Sequence, residues 1–316
     1  MVSMDWKFVF ISWFCLFFLV MCSGKNEVEE RVYKEKAAQK FLHPEIDFKG
    51  QIIFQSDFDG DNEIYLISME GLKKVTDNTW QDEYPVWSPD GKRIAFSSNS
   101  KGNYDIFIMD ADGSHIQQIT SSSKKEETPA WYPDNKTLAY AKSTGGGFGG
   151  NDYLFKIDIQ TGKGERIIPD YQKRHIIPWI SPDGSLLTFT GKRTLGWDVA
   201  LYDLKNKEVN FLEQGGKSCR GRFSPDGKKI AYVCSKADGK GDIWLMNSDG
   251  SEKTRLTKRD ETYDYFPSWS PDGQLIVFNS SLKHDHIGKL CMVEVETGKV
   301  FFLFDSPGND VYPDWK

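Results

Sequence analysis

The same five-residue phrase occurs five times in this chain: Trp87-Ser88-Pro89-Asp90-Gly91, Trp131-Tyr132-Pro133-Asp134-Asn135, Ile180-Ser181-Pro182-Asp183-Gly184, Phe223-Ser224-Pro225-Asp226-Gly227 and Trp269-Ser270-Pro271-Asp272-Gly273. The first residues lie 44, 49, 43 and 46 apart, and Trp315 stands 46 beyond Trp269 in a partial sixth copy, Tyr312-Pro313-Asp314-Trp315-Lys316. A period of this size marks one supersecondary unit that cannot bury its own apolar face. It must stack on its neighbours, so the chain is an array of like units.

Each unit reads as four strands. A short first strand carries Pro-x-Trp, as in Pro85-Val86-Trp87. The Ser-Pro-Asp-Gly turn follows, where Pro presets φ and Gly takes the conformation that closes a hairpin. An alternating strand comes next, as in Lys92-Arg93-Ile94-Ala95-Phe96, then a polar loop and a third strand, as in Asp105-Ile106-Phe107-Ile108-Met109. Asp-Gly or Thr-Gly turns at Asp112-Gly113, Thr161-Gly162, Asp249-Gly250 and Thr297-Gly298 lead to the fourth. This pattern predicts an all-β fold, a six-bladed β-propeller. The chain ends after a first strand, and Gly50-Gln51-Ile52-Ile53-Phe54 matches the second strands. The N- and C-terminal strands are therefore expected to pair in one blade, closing the ring and removing its open edges. The turn aspartates Asp90, Asp134, Asp183, Asp226, Asp272 and, from the sixth copy, Asp314 are expected to hold their turns by Asx-type hydrogen bonds.

The longer pattern Asp-x-x-Pro-x-Trp-Ser-Pro-Asp-Gly, complete at 82–91 and 264–273, resembles the WD40-like repeat of the TolB C-terminal propeller. The resemblance covers 50–316 and implies the fold. It constrains function little, because that repeat serves periplasmic adaptors, peptidase propeller domains and some lyases. TolB carries an α/β domain before its propeller. Only a short tether is read here, so a TolB-type propeller lacking that domain is expected.

A net charge of −6 and a pI near 5.5 oppose a phosphate-tracking surface, so nucleic acid is not an expected partner. Residues 8–21 are apolar and follow Lys7, as in the core of a secretory signal spanning 1–23. Leu19-Val20-Met21-Cys22 resembles a lipoprotein box, departing from it at Met21, where a small residue is usual. Lipidation of Cys22, cleavage near Ser23-Gly24 and an uncleaved anchor all stay open. Each puts the folded part in the periplasm or cell envelope. Residues 24–49 are charged and read as a tether, with a helix over 27–41 ended by His43-Pro44.

The first strand of a propeller blade lines the central channel, and the resemblance places the loop before it at the channel mouth. Five residues before the Trp position stand Asp82, Glu126, His175, Ser218, Asp264 and Asp310. Of these, Asp82, Glu126, His175, Asp264 and Asp310 are the candidate ligand-binding residues, for a cation, a cationic peptide or sugar hydroxyls. Alternatively, the acids satisfy backbone N–H groups where the strands begin. Asp57, Asp59 and Asp61 alternate as in a calcium loop but lack the Glu that ends an EF-hand. His284-Asp285-His286 offers two imidazoles without a third ligand. The glycine-rich run 145–150 does not join a strand to a helix, which argues against a phosphate cradle. Counted from the turn at 224–227, Cys219 faces Tyr232 and leaves Cys234 diagonal, so a disulfide and buried thiols both stay open.

No Gly-x-Ser-x-Gly nucleophile motif is present, though the acidic ring offers carboxylates to a glycosidase mechanism. The expected protein is a non-catalytic envelope propeller. It binds a protein, peptide or glycan at its rim and channel mouth, as a monomer, with no cofactor except calcium if Asp57, Asp59 and Asp61 hold one. The membrane is reached only through the N-terminal anchor. The alternative is a carbohydrate-active lyase or glycoside hydrolase working at the channel mouth. Pectate-fragment lyases that resemble this repeat depend on several metal-binding histidines, and only His175 falls on the ring.

Overall fold

A computed structural model describes residues 48–145, 152–171, 173–285, 287–304 and 306–316. The signal, Cys22, the tether up to residue 47, the glycine-rich run after Gly145 and His286 lie outside the described residues. Twenty-four strands form six four-stranded antiparallel sheets. Blade 1 is built from both chain ends. Its inner strand Val311–Trp315 pairs with Ile52–Ser56, which is followed by Glu63–Ser68 and Gly71–Lys74. Ile52 lies opposite Trp315 and Ile53 opposite Asp314, so the ring closes as the repeat count requires. Blades 2 to 6 run outward in chain order from the inner strands Asp82–Trp87, Glu126–Trp131, His175–Ile180, Ser218–Phe223 and Thr262–Trp269. Outer strands are short, only two residues at Gln117–Gln118 and Thr254–Arg255, which leaves little open edge to template pairing.

The core lies between blades. The middle strands are covered on both faces and so read as continuous apolar runs, such as Ile52-Ile53-Phe54, all fully buried. Between blades 1 and 2, Ile53, Ile64 and Leu66 pack on Trp87, Ile94 and Phe96. The motif tryptophan is thus a seam residue that fills the gap between two twisted sheets. Phe48 belongs to the core between blades 6 and 1. It is buried against the edge of Trp315 at 5.7 Å, and Trp315 Nε1 donates to the Lys49 carbonyl at 2.8 Å.

The Ser-Pro-Asp-Gly turns form for the expected local reason. Ser88 Oγ donates to Asp90 Oδ1 at 2.7 Å, and the backbone N–H groups of Lys92 and Arg93 donate to Asp90 and Ser88. The arrangement recurs at Ser181/Asp183, Ser224/Asp226 and Ser270/Asp272. The turn closes through a residue with positive φ, Gly91 at 60° and, in the third blade, Asn135 at 56°. Asp314 is a correction to the turn reading. Trp315 holds the tryptophan position, so Asp314 lies one residue before it, inside the strand Val311–Trp315 and not in a turn.

The hairpin register in blade 5 also differs from the count. The Ser224 N–H bonds the Lys229 carbonyl, so the loop is wider than a four-residue turn, and an extra residue bulges the inner strand between Cys219 and Arg222. Ser218 therefore faces Cys234, and Cys219 faces Val233. Neighbouring residues point to opposite faces, so Cys219 and Cys234 do not meet and form no disulfide.

Candidate functional site

The inner strands start on one face of the ring, called the front here, and the Ser-Pro-Asp-Gly turns lie on the back. Asp82, Glu126, His175, Ser218, Asp264 and Asp310, at or within two residues of where the inner strands begin, are 0–2% exposed, and each lies near the start of the third strand in the preceding blade. At the seams, Glu63 with Asp82, Asp105 with Glu126 and Asp242 with Asp264 interact as like charges, Asp152 acts on His175, Ser218 donates to Asp198, and Lys289 acts on Asp310. Local partners complete each seam. Asn78 Nδ2 donates to Asp82 at 2.8 Å, and Lys142 pairs with Glu126 at 2.8 Å. Ser280 Oγ donates to Asp264 at 2.7 Å, beside Arg259, and Ser56 Oγ donates to Asp310 at 2.6 Å. The candidate set Asp82, Glu126, His175, Asp264 and Asp310 thus has its side chains turned into the walls between blades. Burial pushes Asp310 up to about 6, and burial with the neighbouring Glu126 does the same for Asp105.

His175 is the odd member. Its Nδ1–H donates to the Lys173 carbonyl at 2.7 Å, while Nε2 is buried with no hydrogen-bond partner, ringed by Tyr153, Tyr171 and Phe189. Burial pushes its pKa down to about 4, so the folded state resists the proton that the unfolded chain accepts near 6.5. Its contribution to stability is full above pH 6.5 and is lost as pH falls toward 4, a span worth roughly 3 kcal/mol. Denaturant titrations at pH 7 and pH 4.5 are expected to show wild type losing stability relative to His175→Gln as pH falls. Taking the difference removes the opposite contributions of Asp105 and Asp310. An unchanged difference would refute this assignment.

Two acids of the calcium-like loop have partners of their own. The Asn309 N–H donates to Asp57, and Asp59 is held by Tyr65 and Lys74, while Asp61 is half-buried with its Oδ2 making no hydrogen bond. Among the described residues no group of three or more His, Cys, Asp or Glu side chains converges as for a metal.

What faces the channel begins two residues further along each inner strand. Tyr84, Thr128, Ile177, Arg220, Phe266 and Tyr312 occupy equivalent positions, and all have positive φ between 53° and 61°. None is Gly or Asn, and a β-branched residue in that region is strained by roughly 1–3 kcal/mol. The register of every inner strand slips at this point, so a bulge in each blade aims these side chains into the channel. Together with the following residues, Pro85, Pro129, Pro178, Gly221, Pro267 and Pro313, they line a narrow, mostly apolar cavity of about 80 Å³.

Tyr312 bridges Tyr84 and Phe266 with ring centroids 4.3 and 3.9 Å away, and the Arg220 guanidinium lies over Phe266 at 4.2 Å. Charge divides this mouth. Glu83 and Glu127, from blades 2 and 3, act on Tyr84 and Tyr312; Tyr104 and Asn62 donate to Glu83, and Lys125 pairs with Glu127 at 2.6 Å, leaving Glu83 the acid there without an ion pair among the described residues. Arg220 and Lys217 come from blade 5, across the ring. Beside them a groove of about 360 Å³ runs between blades 4, 5 and 6, walled by Trp197 and Tyr265.

Arg222 interrupts the channel. Its guanidinium lies over Trp179 at 3.6 Å and pairs with Asp314 of blade 1, whose other oxygen accepts the Trp87 N–H at 2.5 Å. Arg222 lines both the front cavity and a back cavity of about 370 Å³ formed by the motif tryptophans and the turn prolines. Sequence reasoning missed both Arg220 and Arg222. The one available signal was the replacement of Pro-x-Trp by Gly221-Arg222-Phe223 in that blade.

The fold and repeat have clear relatives. Dipeptidyl-peptidase 5 of Porphyromonas gingivalis is 28% identical over 255 residues, covering 75% of this chain but only 36% of that protein's length. The crystal structure of TolB from Acinetobacter baumannii superposes with a TM-score of 0.72 at 24% identity, over 85% of this chain and 67% of that one. An oligogalacturonate lyase in complex with manganese superposes at 0.53 with 16% identity, over 81% of this chain and 74% of that one. At these identities the two structures share the fold alone. A family model described as the TolB beta propeller domain matches residues 34–152 and 149–300. On that match and on its closed ring of six blades, this chain belongs to the TolB β-propeller family.

Proposed function

We propose that this protein is a non-catalytic binding module of the cell envelope, holding a partner protein through a peptide segment or glycan at the front mouth of its propeller. The observation that carries the reading is the division of that mouth, with Glu83 and Glu127 on one side, Arg220 and Lys217 opposite, and a floor of Tyr84, Tyr312 and Phe266. Opposed charges set a partner's orientation and speed its capture, and aromatic rings give contact area at little entropic cost. The family supports a protein-binding role, and the apolar run 8–21 supports export.

The test is capture from an envelope extract. Wild type is expected to retain one partner, and Glu83→Gln with Glu127→Gln to weaken retention about 10-fold, more at low salt than at high. Gln keeps the shape and still accepts from Tyr104 and Asn62, so the melting temperature should hold. Release of unsaturated sugar from oligogalacturonate, dependent on added manganese, would instead favour the lyase alternative that the structural likeness raises.

A further inference from the structure

Arg220 is placed as if awaiting a ligand. Its guanidinium is stacked against Tyr265 and Phe266, its Nε is buried without a hydrogen-bond partner, and Nη1 donates only to the Cys219 sulfur at 2.7 Å. Among the described residues no carboxylate lies within ion-pair reach of it. The 360 Å³ groove that it shares with Lys217 has no Asp or Glu in its lining, in a chain with 46 acidic residues. Two other cations on this face have carboxylate partners, Arg174 in Asp152 and Lys236 in Glu213. A partly desolvated guanidinium without a counter-charge is costly, and ring faces offset only part of that cost. A planar fork of donors beside two rings is suited to a carboxylate.

We propose that Arg220, assisted by Lys217, receives the C-terminal carboxylate of a partner peptide, whose last side chain, small and apolar, enters the 80 Å³ channel cavity. This rests on the protein-binding reading above and narrows it. Arg220 lines both the groove and the cavity, so a chain end held there has its carboxylate on the cation and its side chain among Pro85, Pro129, Pro178 and Tyr84. The upstream backbone then points to Glu83 and Glu127, which favours a basic residue before the end. An acidic sugar is the competing carboxylate source. It fits less well, because the groove hydroxyls Thr190 and Ser218 already bond the wall, to the N–H groups of Arg220 and Val199, and the cavity offers hydroxyls few acceptors. Capture of chain ends by fixed donors is a known mode of peptide recognition.

The probe is a pool of fluorescein-labelled random hexapeptides with free C-terminal carboxylates, applied to the purified full chain beside the same pool amidated at the C-terminus. Peptides ending in Ala or Val should be enriched from the free pool, and those ending in Ser should not. Amidation of an enriched peptide should weaken binding by about 10- to 100-fold, the effect of losing a charge-assisted bidentate contact. Arg220→Gln should weaken the free peptide equally and leave the amidated one unchanged, with Arg220→Lys between. The end-group comparison uses wild-type protein, so it stands even if a variant folds poorly. Binding that ignores the end group, or selects no particular last residue, overturns the carboxylate site while leaving the protein-binding reading intact. Galacturonate oligomers that bind through Arg220 where peptides do not would overturn this inference and leave the broader reading in its glycan form. Silence from both pools overturns this inference, and the envelope capture then decides the broader reading.

Discussion

Deletion of the last seven residues, 310–316, should leave a chain that neither melts cooperatively nor keeps a fixed tertiary signal. The deleted strand is the inner wall of blade 1. Trp315 is 6% exposed, packs on Phe48 and bonds Lys49, and Trp→Ala changes at such sites cost about 3–5 kcal/mol alone. The deletion also strips the partner from Ile52–Ser56, unpairing backbone beside residues that are now fully buried. Domains are stable by about 5–15 kcal/mol, which this loss matches or exceeds. The last strand also joins blade 6 to blade 1, so the damage is to the ring and not to a frayed end. Near-ultraviolet circular dichroism and a thermal melt check this. A truncated protein that melts within a few degrees of the intact one would disprove the closure.

The second large effect belongs to Asp314. Its carboxylate takes the Arg222 guanidinium from blade 5, the Trp87 N–H from blade 2 and the Ser268 hydroxyl from blade 6, so one side chain of blade 1 ties three other blades together across the axis. Asp314→Asn leaves the guanidinium buried and unpaired over Trp179, a loss of about 3–5 kcal/mol. For a domain of this size that is roughly 10 °C in melting temperature. Adding Arg222→Met removes the stranded charge and should restore most of the loss, because a buried ion pair replaced by apolar groups is often neutral. A double-mutant cycle with coupling above about 2 kcal/mol is expected. Additive losses would show that the pair contributes no mutual stabilisation.

Part of this structure is legible in the sequence and part is not. Blade number, turn positions and ring closure follow from local chemistry, such as Ser88 with Asp90 and the positive φ of Gly91, and local chemistry repeats visibly. The acids that begin the inner strands were visible as a column, but their direction was not. Asp82 and Asp264 turn into seams because Asn78 holds the one and Ser280 with Arg259 the other, partners that a column does not display. The residues that do face the channel were hidden by the bulge. Nothing in Thr128 or Ile177 announces a positive φ, since both are β-branched and disfavour it. The same bulge shifted the Cys219 register. Arg222 and Asp314 meet across 92 residues of sequence, and only closure of the ring brings them together.

The front mouth is the binding face in this reading of the propeller. The measurement is amide hydrogen exchange on the free protein and on its complex with the captured envelope partner. Slowed exchange is expected in the front loops, 99–104 and 236–241, around Glu83, Glu127 and Arg220. The back turns, 88–92, 181–185, 224–228 and 270–274, should exchange as in the free protein. Protection confined to those back turns, around the 370 Å³ cavity of motif tryptophans, would contradict the account and move the binding site to the opposite face.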